Sequence, residues 1–473
     1  MARSWRTLHT LGGPVVFVIL AALPLDAPYE VRASLGLLVW MSWWWIGRPV
    51  HLAVTAFLPL VVSAVFDILP VATILPAYAQ QLVFLLLGAN VLASLWRRWG
   101  LDRRIALLSL LALGTGTRRQ ILAWFLVAAV LSTFLPNTVV AAAMMPIVVA
   151  MLRYIGIEEA GRSAFGTALL VAVAWGTSVG GAGTPIGGAP NLLTVQFLEQ
   201  EVIDHEFLFT TWVTRLLPLV VLVAAVALVF MRFAFRPETD RVDASREYLT
   251  GELHGLGAMS AQERWGLALF SAATLLAFSR QLYQDLLPGL TPALAFLTLA
   301  VAAFAIRRKG EPLLEWDYAQ THMIWGLIYL FAGGSALGQI LSDTGTAAFM
   351  AEALVPLAGD GGFGAVVVFS FLAMLLTQIT SNTAAVAIVV PITISTFQGL
   401  GLNPIPFVYI VAVTGNYGLV LPSSSGGCAV AAGYGANLKT MAAWGLGLTA
   451  IVWVVLTGVG YLLAEFWPAF GVA

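Results

Sequence analysis

The chain has 473 residues, of which 60% are hydrophobic and 10% are charged, and its formal net charge is −1. Soluble domains carry about 25% charged residues, so this composition excludes an ordinary water-soluble protein and predicts a chain that spans a membrane. The near-zero net charge offers no basic surface for nucleic acid. The single cysteine, Cys428, excludes an intramolecular disulfide and a thiolate metal site.

Apolar segments recur along the whole chain at lengths that suit transmembrane helices. The first, at residues 11–24, is expected to be a retained helix rather than a cleaved signal peptide, because no small-residue cleavage site stands out after it. Later segments approach or exceed the roughly 20 residues that cross a hydrocarbon core of about 30 Å. They are 208–231, 265–279, 289–306, 362–376 and 440–466. The expected fold class is an all-α polytopic membrane protein.

A polar stretch at residues 232–264 separates two similar halves, and its charge density predicts a solvated linker with a short surface helix. A shift of 245 positions (382 − 137) places PNTVVAAAMMP (136–146) on SNTAAVAIVVP (381–391). The same shift places FLLLGANVLASLWRRWG (84–100) on YLFAGGSALGQILSDTG (329–345). Because two separate segments share one offset, the sequence indicates an internal duplication.

The loops of the two halves differ in charge. Residues 97–119 contain six arginines, whereas the equivalent residues 342–364 contain no Lys or Arg and three acidic residues. Short Arg-rich loops stay on the cytoplasmic side, so the first loops and the linker are expected in the cytoplasm and the second loops on the opposite side. Such inverted repeats are typical of secondary transporters, which bind substrate and ions near the membrane midplane.

Each Asn-Thr motif interrupts a hydrophobic segment, 122–152 in the first half and 364–396 in the second. Proline disfavours helix at the residue before it, and Asn, Ser and Thr cap helices. Both segments are therefore predicted to be broken helices, with carbonyls and hydroxyls that can ligate Na+ and a helix N-terminus that can face an anion. Alternatively, these polar residues only hydrogen-bond packed helices to each other.

A Gly-rich polar stretch follows each motif, GTSVGGAGTPIGGAPN (176–191) and GNYGLVLPSSSGGC (415–428). Glycine weakens a continuous helix and lets backbones approach closely. The two stretches are therefore predicted to form the other wall of each site. The alternative is close packing between helices through small residues.

The sequence resembles the divalent anion/sodium symporter family, which includes the sodium-coupled di- and tricarboxylate and sulfate transporters. The segments that carry the resemblance are WWWIGRPVHLAVTAFLP (43–59), WRRWGLDRRIAL (96–107), FLPNTVVAAAMMPIV (134–148), GTPIGGAPN (183–191) and ITSNTAAVAIVVPI (379–392). The resemblance covers nearly the whole chain. It implies a homodimeric elevator transporter of the plasma (inner) membrane, in which a mobile transport domain with two re-entrant hairpins moves against a scaffold.

The chain is expected to divide into five parts. These are N-terminal scaffold helices at 1–78, repeat 1 at 79–231, the cytoplasmic linker at 232–264, scaffold helices of the second half at 265–322 and repeat 2 at 323–473. The resemblance implies one re-entrant hairpin in each repeat, which we expect at residues 79–99 and 323–344.

The resemblance also implies which residues bind the coupling ions and the substrate. The first Na+ site would use Ser132, Asn137 and the backbone near Gly187, and the second would use Thr377, Thr380, Asn382 and the backbone at Ser424. The anion would lie between Asn137, Thr138, Ser381, Asn382, Thr383 and Ser425.

Four features depart from the family pattern. Pro136 replaces the usual Ser of the first motif, and Gln378 replaces the acidic residue before the second motif. The loop SSSGGC (423–428) stands where Thr-Pro-Pro-Asn is more usual, and Gly47-Arg48 stand where Thr-Glu follows the early tryptophans. The resemblance therefore leaves the identity of the anion and the Na+ stoichiometry open.

The function predicted from these features is Na+-coupled symport of a divalent anion, either a di- or tricarboxylate or sulfate. A proton-coupled carrier normally needs a buried titratable group in its pathway, and residues 120–152 and 365–438 contain no Asp, Glu, Lys, Arg or His. Proton coupling or anion exchange in the same fold is the alternative. A channel is disfavoured because no ring of charged residues is evident. An enzyme is disfavoured because no histidine lies beside a nucleophile in the sequence.

Overall fold

The computed structural model describes residues 2–24, 26–112, 116–238, 243–308, 310–359 and 361–472. In this part of the chain nearly all regular structure is helical, which confirms the predicted all-α class. The α-helices are α1 (Ala2–Ala22), α2 (Tyr29–Gly47), α3 (Leu52–Thr55), α4 (Leu58–Phe66), α5 (Val71–Ile74), α6 (Gln81–Trp99), α7 (Leu101–Leu111), α8 (Thr117–Ser132), α9 (Asn137–Tyr154), α10 (Ala164–Gly181), α11 (Ala189–Glu201), α12 (Phe209–Ala234), α13 (Asp243–Gly255), α14 (Ala261–Phe278), α15 (Arg280–Tyr283), α16 (Pro292–Ala305), α17 (Trp316–His322), α18 (Trp325–Asp343), α19 (Thr346–Ala358), α20 (Phe363–Ile379), α21 (Asn382–Gly399), α22 (Ile405–Gly415), α23 (Gly426–Gly433) and α24 (Leu438–Phe466).

Short elements complete the described structure. Strand β1 (Arg307–Arg308) pairs antiparallel with β2 (Glu311–Pro312), and Arg307 lies opposite Pro312 in the register. The 3₁₀ helices are Leu75–Ala79, Ala160–Arg162, Pro185–Gly187 and Pro468–Gly471.

Seven helical segments in the described residues are long and apolar enough to cross a membrane. They are Val71–Trp99, Asn137–Tyr154, Ala164–Gly181, Phe209–Ala234, Trp325–Asp343, Asn382–Gly399 and Leu438–Phe466. Inside a bilayer each backbone N–H and C=O must find a partner within the protein, and helices satisfy most of them locally. The chain is a multi-pass membrane protein.

Polar side chains at the helix starts satisfy N–H groups that have no partner within the helix. Ser163 accepts from the Gly166 N–H at 3.1 Å at the start of α10, and Asn437 accepts from the Thr440 N–H at 3.1 Å at the start of α24. Gly100 ends α6 with φ 72°, a left-handed conformation that glycine adopts without steric cost. The sequence therefore places helix boundaries at residues that tolerate them.

Helices α8 and α9 form a hairpin, which we name hairpin 1 (residues 117–154). The Gln120 side chain near the start of α8 donates to the Ser245 hydroxyl. The Tyr154 ring at the end of α9 lies 5.4 Å from the Tyr248 ring, measured between ring centroids. Ser245 and Tyr248 are one turn apart on α13, so both ends of hairpin 1 return to the same end of the molecule.

Helices α20 and α21 form hairpin 2 (residues 363–399). Gly361, just before α20, lies against residues that follow α21, because a Cβ added to it would be 2.3 Å from Leu402 Cδ1 and 3.2 Å from Leu400 Cδ1. The chain therefore enters and leaves hairpin 2 at one place. In each hairpin the Asn-Thr pair opens the second helix, directly after the turn.

The two hairpins enter from opposite ends of the long helix α24. The Asn437 side chain, at the start of α24, donates to the Gly161 carbonyl at 3.3 Å, and Gly161 lies in the short connection after hairpin 1. Beyond the other end of α24, the Gly471 carbonyl accepts from the Asn403 side chain at 2.7 Å, just after hairpin 2. The tips of both hairpins consequently point toward the middle of the molecule.

This arrangement corrects the expected position of the hairpins. Residues 79–99 and 323–344 do not form hairpins, since each range contains one uninterrupted helix, α6 or α18. Their glycines serve close packing, because a Cβ at Gly88 would lie 2.7 Å from the Phe296 carbonyl carbon, and one at Gly333 would lie 2.4 Å from the Ala56 carbonyl oxygen. The motif segments 122–152 and 364–396, expected to be broken helices, form the hairpins instead.

The broken helices are α10 with α11 and α22 with α23. Residues 182–188 separate the first pair, and residues 416–425 separate the second. The Gln398 side chain at the base of hairpin 2 donates to the Glu201 carbonyl at 2.9 Å, so α11 ends there. A Cβ at Gly161 would lie 2.3 Å from the Gly435 carbonyl oxygen, so α23 ends near hairpin 1. Each broken helix thus crosses the molecule and unwinds in the middle, and residues 182–187 and 416–419 of the unwound segments are buried.

Helix boundaries repeat at the spacing of the motifs. Helices α9 and α21 both have 18 residues, and their first residues, Asn137 and Asn382, are 245 positions apart (382 − 137). Helices α7 and α19 begin at Leu101 and Thr346, with the same spacing (346 − 101). The shared offset of the sequence is therefore also an offset of the helices.

Candidate functional site

A cavity of about 280 Å³ lies where the two hairpin tips meet the unwound segments of the broken helices. Eight of the sequence-predicted site residues line it: Asn137, Thr138, Gly187, Ser381, Asn382, Thr383, Ser424 and Ser425. Ser132, Thr377 and Thr380, also predicted, are buried behind the tips instead of on the cavity wall. The fold therefore brings residues from both halves of the sequence to one place.

The tip of hairpin 1 is organised around Asn137. Its side-chain amide nitrogen lies 2.7 Å from Ser132 Oγ, 3.1 Å from the Thr177 carbonyl oxygen and 3.2 Å from the Gly187 carbonyl oxygen. Three acceptors around one atom assign the nitrogen, rather than the oxygen, to that position. Pro136 occupies the N-cap position of α9 with φ −54° and ψ 136°, and it supplies no side-chain cap.

The tip of hairpin 2 has the same design around Asn382. The Thr377 hydroxyl lies 2.7 Å from Asn382 Oδ1 and 2.6 Å from the Gly415 carbonyl oxygen. The Asn382 amide nitrogen donates to the Asn416 carbonyl at 2.6 Å. In both tips an asparagine at a helix start is held by a hydroxyl five residues earlier and by a carbonyl of an unwound segment.

Glycines of the broken helices pack directly on the two asparagine amides. A Cβ at Gly181 would lie 2.2 Å from the Asn137 amide. A Cβ at Gly418 would lie 2.7 Å from Asn382 Oδ1 and 2.6 Å from the Ser424 carbonyl oxygen. Only glycine leaves room for these contacts, so the Gly-rich stretches form the second wall, as the sequence pattern predicts.

Serines cap two of the helices that point at the cavity. Ser381 Oγ accepts from the Ala384 N–H at 3.2 Å at the start of α21. Ser425 Oγ accepts from the Cys428 N–H at 3.3 Å at the start of α23, and it also lies 3.1 Å from Ser178 Oγ. Helix N-termini carry a partial positive charge and bare N–H groups, which suits an anion.

Thr380 differs from the other predicted Na+ ligands in its hydrogen bonding. Its side chain is buried, with 1% exposed, and its hydroxyl has no hydrogen-bond partner among the described residues. It ends α20 in an extended conformation, with φ −115° and ψ −161°. A buried hydroxyl without a partner is costly, so this oxygen is free to serve a bound ion.

Gln378 holds the unwound segment of the second broken helix. Its Nε2 donates to the Tyr417 carbonyl at 2.7 Å, and its Oε1 accepts from the N–H groups of Leu419 at 2.9 Å and Val420 at 3.1 Å. An amide can donate and accept at once, whereas an ionised carboxylate can only accept. The glutamine therefore suits a position that faces both a carbonyl and two N–H groups.

Two cavity-lining residues, Arg48 and His51, were not predicted from the sequence. Both line the cavity from the connection between α2 and α3. The Arg48 Nη2 donates to the Ser423 carbonyl at 2.6 Å, and His51 Nδ1 accepts from the Ala53 N–H at 3.2 Å, which caps α3. The sequence did show that Gly47-Arg48 replace the usual Thr-Glu of the family pattern. It could not show that this position lies beside Ser423, which is 375 positions away.

The atoms at the hairpin tips suit a monovalent cation better than a transition metal. No group of three or more His, Cys, Asp or Glu side chains within the described ranges could hold a metal ion. The tips instead offer hydroxyl, amide and carbonyl oxygens near the ends of half-helices. Transporters with discontinuous helices coordinate Na+ with such unwound backbone and half-helix ends.

Comparison with known proteins finds similar membrane transporters. The family model described as "Citrate transporter" matches residues 38–414 and also residues 290–470. The sodium-dependent dicarboxylate transporter SdcS of Staphylococcus saprophyticus is 27% identical over 97% of this chain and 91% of its own length. SdcS of Staphylococcus aureus is 27% identical over 95% of this chain and 89% of its own length.

A solved structure shares the fold. The YdaH transporter of Alcanivorax borkumensis aligns with a TM-score of 0.55 over 83% of this chain and 86% of that chain, at 15% sequence identity. At this identity the likeness concerns the fold only.

Proposed function

Because the chain belongs to the citrate transporter family, we propose that it is a Na+-coupled symporter of a small divalent anion. It is a membrane transporter and not an enzyme, and the matches confirm its resemblance to the divalent anion/sodium symporters. The relatives named as sodium-dependent dicarboxylate transporters support a di- or tricarboxylate as substrate, with sulfate as the other anion of the family.

One observation carries the proposal: two hairpin tips from opposite ends of the molecule meet at one cavity, each with an asparagine clamped between a hydroxyl and a carbonyl. We assign the first Na+ to Ser132, Asn137 and the Gly187 carbonyl, with the Asn137 amide rotated on binding so that its oxygen, in place of its nitrogen, faces the ion. We assign the second to Thr377, Thr380, Asn382 and the Ser424 carbonyl. A Cβ added to Gly418 would lie 2.7 Å from the Asn382 amide oxygen and 2.6 Å from the Ser424 carbonyl oxygen, so the two oxygens lie close together, which supports a shared site.

The anion is assigned to the cavity between the helix starts. Helices α9, α21 and α23 all begin at residues that line the cavity or directly adjoin it. Their partial positive ends would face the substrate beside Thr138, Thr383 and Ser425. A cavity of about 280 Å³ lies just below the range of about 300–1,000 Å³ for drug-sized ligand sites, which fits an anion of a few atoms.

An elevator mechanism and inverted-topology repeats follow as parts of the same proposal. The opposite entry of the hairpins supports the inverted repeats, and the cavity's position between hairpin tips and the α2–α3 connection supports a transport domain that moves against a scaffold. Proton coupling receives less support, because the cavity-lining residues that the structure describes include no carboxylate, and His51 is the one side chain among them that can exchange a proton near neutral pH. The resemblance also implies that the protein is a homodimer in the plasma membrane, and this stays a prediction.

Uptake into proteoliposomes tests the proposal. With purified protein, we expect inward Na+ gradients to drive accumulation of labelled succinate, citrate or sulfate above the level with K+ in place of Na+. A collapsed Na+ gradient should stop accumulation, whereas a collapsed proton gradient should not. Accumulation that follows the proton gradient and ignores Na+ would contradict the cation assignment.

Pro136→Ser is expected to tighten Na+ binding by about 1 kcal/mol, close to the net value of one hydrogen bond. The observed backbone angles at Pro136 allow serine, which would add an N–H and a cap like that of Ser381 in hairpin 2. The cap gain of about 1 kcal/mol offsets the entropy that proline removes from the unfolded chain. The melting temperature should therefore change little, which Na+ titration and thermal unfolding will check.

Ser381→Ala is the matched variant, because it removes the existing cap of hairpin 2. It should weaken Na+ binding by a similar amount. Weaker Na+ binding and a lower melting temperature in Pro136→Ser would mean that the proline ring itself holds the tip.

A further inference from the structure

Arg48 brings a permanent positive charge to the cavity from outside the hairpins. It follows α2, and it shares the cavity lining with Asn137, Thr138, Asn382 and Ser425. Within the described lining, Arg48 and His51 are the only ionisable side chains. An arginine stays charged at every physiological pH, so Arg48 is the lasting cationic group of this site.

The guanidinium of Arg48 is only partly occupied by the protein. Its Nη2 donates to the Ser423 carbonyl at 2.6 Å, while the residue as a whole is exposed. A guanidinium carries five N–H donors in a planar fork that matches carboxylate and sulfate oxygens. Donors therefore remain open to the cavity directly beside Ser424 and Ser425, which line it.

The backbone of Arg48 supports a role beyond ending a helix. Arg48 is the C-cap of α2 in a left-handed conformation, with φ 49° and ψ 45°. Glycine or asparagine usually occupies such positions because a larger residue is strained there. Strained conformations persist where the surrounding structure or function requires them. An arginine here is unfavourable for the helix end itself, so its side chain is the feature to explain.

We propose that Arg48 binds the transported anion and selects substrates with two negative charges. One charged group of the anion accepts hydrogen bonds from guanidinium N–H groups, including the N–H that donates to the Ser423 carbonyl in this structure. The other group faces the helix starts at the hairpin tips. This assignment rests on the proposed function, because it requires a divalent anion in this cavity. It deepens that function by naming the residue that distinguishes dianions from monoanions.

The test compares anions of one and two charges on the full-length purified protein. Isothermal titration in NaCl would measure succinate against monomethyl succinate, and sulfate against methyl sulfate. In wild type the dianion of a pair should bind more tightly. Arg48→Gln should weaken the dianion by about tenfold or more, the range for a hydrogen bond to a charged group, and should leave the monoanion nearly unchanged. Arg48→Lys, which keeps the charge but not the fork, should fall between.

Arg32→Gln is the matched control. Arg32 lies in α2, the helix that Arg48 follows, and its Nη1 also donates to a backbone carbonyl, that of Leu23, at 2.5 Å. It does not line the cavity, so this variant should keep the wild-type preference for dianions. Arg48→Gly is a second variant in case Arg48→Gln misfolds, because glycine adopts the left-handed backbone conformation of residue 48 without strain. It should keep the wild-type melting temperature and lose the preference for dianions over monoanions.

The outcomes separate this proposal from the function it rests on. Equal weakening of monoanion and dianion, or no weakening, in a folded Arg48 variant would overturn the role of Arg48 while the transporter assignment stands. Binding of no dianion by the wild type in NaCl would overturn both. The proposal is supported if the ratio of dianion to monoanion affinity falls in Arg48→Gln and Arg48→Gly and keeps its wild-type value in Arg32→Gln.

Discussion

Asn382→Ala is expected to abolish Na+-dependent uptake and to weaken Na+ binding by about a hundredfold. The change deletes one proposed ligand, removes the side-chain donor from the buried Asn416 carbonyl, and removes one of the two acceptors of the Thr377 hydroxyl. An unsatisfied buried polar group costs about 1–3 kcal/mol, so the tip of hairpin 2 should lose its geometry as well as its ligand. Na+ titration of the purified protein and uptake into proteoliposomes measure the two effects separately.

Asn403→Ala provides the control for Asn382→Ala. The Asn403 amide also donates to a backbone carbonyl, that of Gly471, at 2.7 Å, and its oxygen accepts from the Ile405 N–H at 3.1 Å. This asparagine is exposed and lies outside the cavity. Its loss should leave Na+ binding unchanged. Na+ binding in Asn382→Ala equal to that in Asn403→Ala would contradict the assignment of the second Na+ site.

The motif residues could be located from sequence because both copies carry the same short pattern at one offset. Asn137 and Asn382 open helices of equal length, and each hydrogen-bonds to the hydroxyl five positions earlier, Asn137 through its amide nitrogen and Asn382 through its amide oxygen. Such contacts are local, so a sequence pattern records them directly. The predicted ligands therefore cluster as expected around two hairpin tips.

The sequence could not show whether the chain turns back after each motif, as a hairpin, or continues across the membrane. A helix start after Pro136 or Ser381 has the same residues whether the second helix continues or turns back. What decides the hairpin is distant packing, such as the contact of Gln120 and Tyr154 with α13. Contacts of this kind depend on residues far along the chain, and the expected hairpins at α6 and α18 failed for that reason.

Arg48 illustrates the same limit for the site itself. Its charge is evident in the sequence, but its partner Ser423 is 375 positions away. Only the fold places the α2–α3 connection beside the unwound segment of the second broken helix and so brings the two together. A local motif therefore predicts which ligand atoms a hairpin tip carries. It does not predict that the positive charge of Arg48 lies opposite those atoms, because that depends on the whole fold.

Gly418→Ala is expected to weaken Na+ binding by about tenfold or more, although it adds a single methyl group. The backbone of Gly418 does not have a positive φ, so the expected effect comes from space alone. The new Cβ would lie 2.6 Å from the Ser424 carbonyl oxygen and 2.7 Å from Asn382 Oδ1. These are two proposed ligands of one ion, and overpacking of a tight site costs about 1–3 kcal/mol. The methyl group must push them apart.

Gly399→Ala is the control for Gly418→Ala, since it adds the same methyl group at the end of hairpin 2, where no atom lies within 4 Å of the new Cβ. It should bind Na+ as the wild type does and unfold at the same or a slightly higher temperature, because alanine favours helix over glycine by up to about 1 kcal/mol. If the second cation site is built as proposed, added Na+ should raise the melting temperature of Gly399→Ala and wild type alike, and that of Gly418→Ala much less. An undiminished Na+ effect in Gly418→Ala would mean that the ion does not bind between Asn382 and Ser424.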